Sequence, residues 1–249
     1  MADQKGKQRT RRPPQRARYH ELRRKQPDWF ANHPGGFEIL FRDEEMNSAE
    51  EAAWNQLQDS QNRGEITTAI DRSWVMVGVI AEDSWGVILR DAVRTPQGDL
   101  RVYRREMSAP DRPAGVVALT TLDGKMVLLK HYRHALRRFS WEFPRGFAQH
   151  GESYESTLLR LLREEIQASA HDPRLLGLVD TDGGKLGDRV HLCTARVQQA
   201  GEPERAEAIE GYELMDLDEL RGRVRANEIT DAFTLAAIGK AYCAGLFPV

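Results

Sequence analysis

The residues of this chain best placed to do chemistry lie between Gly146 and Ala168, in GFAQHGESYESTLLRLLREEIQA. Gly146 stands six residues before Glu152, Arg160 eight after it, and the adjacent pair Glu164 and Glu165 follows. On a helix each residue advances about 100°, which sets Glu165 about 40° from position 161 and Glu164 about 60° away on the other side. Two adjacent glutamates in one turn repel one another as bare carboxylates. A divalent cation relieves that repulsion, and Mg2+ prefers oxygen ligands, with water and substrate phosphates completing an octahedral shell. Such an ion draws charge from a phosphoryl transition state and orients or acidifies a water. Leu158, Leu159, Leu162 and Ile166 fall on a stripe centred roughly 120° from Leu161, and that stripe is expected to face the core. Leu161 itself is thereby expected on the metal-facing side, where leucine cannot be a ligand.

A helix over residues 153–166 must carry this face. Ahead of it the pattern is of hairpins: 85–93 and 100–106 flank TPQGD, and 115–121 and 126–132 flank LDGK. Asp123-Gly124 is a two-residue hairpin signal. Strands are expected at 175–180, 189–197 and 211–215, and helices at 216–225 and 231–246, the last capped by Thr230 or Asp231. Hairpins with interposed helices predict an α+β class, a mixed sheet sandwiched between helices in an α/β/α layering. That domain is expected over 84–249, with an N-terminal extension over 28–83 that holds a helix near 48–59 and a buried strand over 73–81.

The net charge of −2 hides an asymmetry, because residues 1–25 hold ten Lys/Arg against Asp3 and Glu21. The segment GKQRTRRPPQRAR has too few apolar residues to offset its ordering entropy. Residues 1–27 are therefore expected to form a disordered basic arm, either a solubilising tail or a loose contact for a polyanion. Two cysteines fifty residues apart match no metal-ligand spacing and suggest a reducing compartment. No apolar run is long enough to span a membrane, and the basic start lacks the apolar stretch of a secretory signal, so the cytoplasm is the expected location.

Gly146, Glu152, Arg160, Leu162, Glu164, Glu165 and Ala168 resemble the Nudix box, whose pattern is G, five residues, E, seven residues, then R-E-U-x-E-E-x-G-U with U aliphatic. Leu161 stands in place of the glutamate after the arginine, and Gln167 in place of the last glycine. HYRHALRRFSWEFPRG (131–146) and NEITDAFTLAAIGKA (227–241) are similar to segments of ADP-ribose pyrophosphatase-like members, so the resemblance covers about 85–245. It implies an α/β/α Nudix fold and a Mg2+ or Mn2+ cofactor bound by Glu164, Glu165 and the carbonyl of Arg145. Arg160 and Glu152 would orient the glutamates, and a loop glutamate, Glu207 or Glu210, would be the general base. Glu213 lies in the same acidic stretch. The resemblance also implies a homodimer in which residues 85–106 pack on a second copy.

For the ligand, a nucleoside diphosphate-linked small molecule, the candidates are Arg133, Arg138, Trp141 and Glu142. An arginine beside an aromatic residue can hold phosphate and stack on a base. His131, His134 and His150 form no ligand pattern. Asp180, Asp182 and Asp188 flank the turn TDGGKLGD, which could border the pocket, although turn chemistry alone accounts for them. Two functions follow from the resemblance. One is hydrolysis of a compound such as ADP-ribose or an ADP-sugar, supported by Glu152, Arg160, Glu164 and Glu165. The other is binding without efficient turnover, as a sensor, scaffold or regulator, supported by Leu161 and Gln167.

Overall fold

The computed structural model describes residues 14–110 and 112–247. The chain forms two compact units, residues 1–110 with 184–187, and residues 111–183 with 188–249. No helix among the described residues is long and apolar enough to cross a membrane.

The first unit contains α1 (Pro14–Lys25), β1 (Glu38–Leu40), α2 (Asp43–Asn62), β2 (Gly78–Glu82), β3 (Gly86–Arg94) and β4 (Leu100–Ser108). β3 is central: β4 pairs along its whole length, while β2 and β1 share its other edge in succession, all antiparallel. The hairpin expected to open the second domain is thus the middle of the first unit's sheet. The basic arm also differs from expectation, since 14–25 is a helix and only residues 1–13 lie outside the described residues. Its order comes from packing: Tyr19 and Leu22, one turn apart, are fully buried in a core with Met46, Leu89 and Val77. Arg16 is spent locally on Asn47 and Glu50. Tyr19 donates to the buried Asp91, which Arg105 also holds. The glycine-rich turn pairs with β4, where Glu106 N–H donates to Lys185 O at 2.9 Å and Gly187 N–H to Glu106 O at 2.9 Å.

The second unit contains β5 (Gly115–Leu122), β6 (Lys125–Arg133), β7 (Arg138–Glu142), β8 (Arg145–Phe147), α3 (Tyr154–Ile166), β9 (Ser169–Asp180), β10 (Arg189–Gln199), β11 (Ile209–Met215), α4 (Leu217–Arg225) and α5 (Ala232–Cys243). The sheet order is β11-β6-β5-β10-β9, with β10 parallel to β5. Asp123 and Gly124 both take positive φ, 52° and 77°, as the expected two-residue turn requires. β5 and β6 pair only beside that turn, at Thr121–Met126 and Leu122–Lys125. Beyond it they part, and β7 pairs with β6 while β8 pairs with β5. The sheet therefore forks.

Strand alternation divides the core in two. Val116, Ala118, Val127, Leu129, Cys193 and Ala195 face α3, while Val117, Leu119, Met126, Leu128 and Leu192 face Leu220 of α4 and Ala237 and Ala241 of α5. This is the mixed, helix-covered α+β sheet that was expected. Within α3 the buried stripe runs through 158, 161, 162, 165 and 166, the i, i+3, i+4, i+7, i+8 spacing of a core-facing helix. Leu161 is part of that stripe and not off it, because Leu159 is only half-buried and the helix rolls toward Leu162.

Candidate active site

The fork brings the end of β6 and the end of β7 into one register, with Leu129 opposite Glu142, His131 opposite Ser140 and Arg133 opposite Arg138. Alternation then sets His131, Arg133 and Glu142 on the α3 face with Leu129. Glu142 is fully buried. Arg133 grips it through Nε at 2.9 Å and through Nη2, while His131 Nδ1 lies at 3.2 Å and Arg145 Nη2 at 3.4 Å. Burial pushes this carboxyl up, but His131, Arg133 and Arg145 together outweigh it and hold it below its ordinary value. A carboxylate so enclosed anchors the two arginines around it. The side chain of Arg133 is 26% exposed, so its guanidinium reaches the surface of the site.

Across from this hub, Glu165 of α3 is 2% exposed, and its Oε2 is buried without a hydrogen-bond partner. Burial foremost, then the charges of Glu207 and Glu142, push its carboxyl up to about 8, opposed by Arg133 and the main-chain N–H of Arg145. Glu207 belongs to a short 3-10 turn, Arg205–Glu207, that is pinned to α3 because Glu204 N–H donates to Glu165 O at 2.8 Å. Glu210 is tied to Lys130 and Glu213 to Arg223. Of the three loop glutamates, Glu207 is the one whose charge bears on Glu165.

Glu164 does not join Glu165. It is exposed, and Arg160 Nη1 holds it at 2.7 Å. The same guanidinium spans Glu152 at 2.8 and 2.9 Å and donates to Phe147 O at 2.9 Å. Glu152 also accepts Gln149 N–H at 2.7 Å and the Thr157 hydroxyl at 3.1 Å. Arg160 first, and then the Gln149 N–H, lower its carboxyl to about 2. Arg160 and Glu152 thus clasp the loop after β8 to α3. Adjacent residues on a helix are about 100° apart, so one clasp on Glu164 leaves Glu165 alone on the buried side. Arg138 reaches Thr230 at 3.3 Å, and Trp141 lies on the opposite sheet face under Arg223. Neither enters the Glu142 cluster.

Residues 110–233 match the NUDIX domain model. The chain is 30% identical over 150 residues to the ADP-ribose pyrophosphatase of Bacillus subtilis (strain 168), a match covering 59% of this chain and 79% of that protein. It belongs to the Nudix family. It is also 28% identical over 153 residues to the methanol dehydrogenase activator of Bacillus methanolicus, covering 59% of this chain and 80% of that protein. Its fold is similar to the crystal structure of an ADP compounds hydrolase, with TM-score 0.58 and 18% identity over 70% of this chain and 94% of that one.

Of the two altered positions in the Nudix box, Leu161 is the one that touches Gly146. A Cβ on Gly146 would lie 2.4 Å from Leu161 Cδ2, so the leucine fills the space that a larger residue at 146 would need. Among the described residues, no three His, Cys, Asp or Glu side chains gather as a metal site. The unpartnered oxygen of Glu165, with Glu207 nearby, fits something less demanding. Mg2+ commonly keeps several waters and takes only one or two carboxylates together with substrate phosphates. The residues present fit one such ion shared with a ligand, and not a cage made by the protein alone. In the sequence Asp231 reads only as a helix cap, His131 as no ligand and Thr234 as nothing in particular, since single polar residues in a helix start or a strand carry no spacing signal.

Proposed function

We propose that this chain hydrolyses the diphosphate of a nucleoside diphosphate-linked compound, ADP-ribose or an ADP-sugar, to a nucleoside monophosphate and a sugar phosphate. The observation that carries this reading is the buried Glu165, with an unpartnered carboxylate oxygen, on the helix to which the Arg205–Glu207 turn is tied. Arg133, fixed by Glu142, meets the diphosphate; a planar guanidinium suits phosphate oxygens. Glu207, exposed at the lip, takes a proton from the attacking water. The water oxygen bonds to one phosphorus, and the bridging oxygen leaves with the other phosphate. Mg2+ or Mn2+ held by Glu165, the Arg145 carbonyl and the ligand's own phosphates would supply charge withdrawal at the phosphates. The names of the Bacillus subtilis relative and of the structural neighbour support the compound class.

Binding without turnover is the second reading. It is favoured by Leu161, which brings an apolar contact where the box has a carboxylate, and by the relative named as an activator. Release of nucleoside monophosphate from ADP-ribose and ADP-glucose, with Mg2+, Mn2+ or a chelator, separates the two. Turnover that Glu165→Gln abolishes supports hydrolysis. A native chain that binds ADP-ribose and cleaves nothing, while Leu161→Glu cleaves, would leave the binding reading in its place.

Exposed Trp74, Ile80 and Trp85 on the first unit support the reading that the chain is a homodimer, and light scattering should give twice the chain mass. A cytoplasmic setting suits the two unpaired cysteines.

A further inference from the structure

The end of β7 and the start of α5, far apart in sequence, meet in a closed polar circuit. Asp231 caps α5: its Oδ2 accepts Thr234 N–H and the Thr234 hydroxyl, each at 2.9 Å. That hydroxyl oxygen accepts Phe143 N–H at 3.0 Å, one residue past Glu142. The other Asp231 oxygen, Oδ1, pairs with Arg145 Nη1 at 3.0 Å, while Arg145 Nη2 reaches Glu142 Oε2 at 3.4 Å. The Arg145 guanidinium also lies 4.9 Å from the Phe233 ring centre. Thr234 and Glu142 are fully buried, and the Asp231 and Arg145 side chains are 11% and 19% exposed.

The circuit ends at the site. Arg145 gives its side chain to Glu142, and Glu142 is the carboxylate that holds Arg133. Charges enclosed this way interact strongly, and removing one partner leaves the next uncompensated. Helix capping alone does not call for a charge at 231, because asparagine caps as well as aspartate. Only the carboxylate meets Arg145.

We propose that Asp231 is a positioning residue for the diphosphate site: it holds Arg145 and, through Glu142, the seat of Arg133. The expected role of Arg133 and Glu165 in turnover rests on the function proposed above; the placement of Arg145 does not.

Asp231→Asn keeps the cap and removes the charge, whereas Asp231→Ala removes both. Two readouts are taken on the full chain: steady-state hydrolysis of ADP-ribose with Mg2+, and the side-chain Nε–Hε signals of Arg133 and Arg145 in 15N-labelled, ligand-free protein. Both variants are expected to raise KM about tenfold, the scale of lost supporting contacts at such sites, with kcat unchanged. Both should shift the two arginine signals, and only Asp231→Ala should also lose the stability of the cap. Wild-type KM and unmoved arginine signals in Asp231→Asn would overturn the proposal and leave a cap alone. If the native chain cleaves no ADP-ribose, the hydrolase reading fails, and the arginine signals still decide the role of Asp231.

Discussion

Glu165 and Glu152 belong to the same box and are pushed in opposite directions by their surroundings. The folded chain holds a proton on Glu165 up to about pH 8, against an ordinary value of 4.5. Between those values the unfolded chain has already released it, so this carboxyl takes stability away as pH rises from about 5 to 8. In chelator, urea midpoints should fall across that range, and Glu165→Gln should flatten the fall; an equal slope in the variant would show the carboxyl to be solvated. Glu152 has the other sign. Held at about 2 by Arg160 and the Gln149 N–H, it contributes stability above its ordinary 4.5 that is lost as pH drops toward 2. Gln167 stands where the family pattern has glycine, and its backbone is left-handed at φ 50°. A side chain there costs about 1–2 kcal/mol, partly offset by the entropy of glycine when unfolded. Gln167→Gly should therefore gain roughly 0.5–1 kcal/mol in denaturant unfolding, and a loss would show that its side-chain contacts outweigh backbone strain.

At the scale of elements, the helices and hairpins nearest the box were legible. The Asp123-Gly124 turn, the helix with its Ser153 cap and the Asp231 cap all follow from local chemistry. The edges of the first unit were not. The helix at 14–25 is rich in arginine, a good helix former, but has few apolar residues to hold it. It is held by tertiary partners, Tyr19 and Leu22 in the core and Arg16 on Glu50. Tyr19→Phe tests that account. It removes a hydrogen bond to a buried carboxylate and should cost about 1–3 kcal/mol of stability, read as a lowered unfolding midpoint. No loss would place the anchor of α1 elsewhere.

For the whole molecule, the +8 of residues 1–25 is smaller in effect than in count. Arg16 and Arg18 are matched from outside the segment by Glu50 and Glu82. Charge available to a polyanion is thereby concentrated in residues 1–13. Deleting them should lower the salt at which the chain leaves a heparin column, with no change in unfolding midpoint. Unchanged elution would remove the polyanion contact.

The box spacing, the alternating strands and the Nudix kinship were determined by the sequence alone, because each depends on steps along one helix or strand. Those steps also correctly separated Glu164 from Glu165 in angle. They could not say how far the helix rolls on its sheet, so only packing decided that Leu161 is core and Glu164 belongs to Arg160. Likewise, only the fold ties Glu210 to Lys130 and buries Glu142 among Arg133, His131 and Arg145. Burial and charge pairing depend on which distant segments meet, and in this chain the meeting of 142–145 with 231–234 is made by the fork in the sheet and the cap of the last helix.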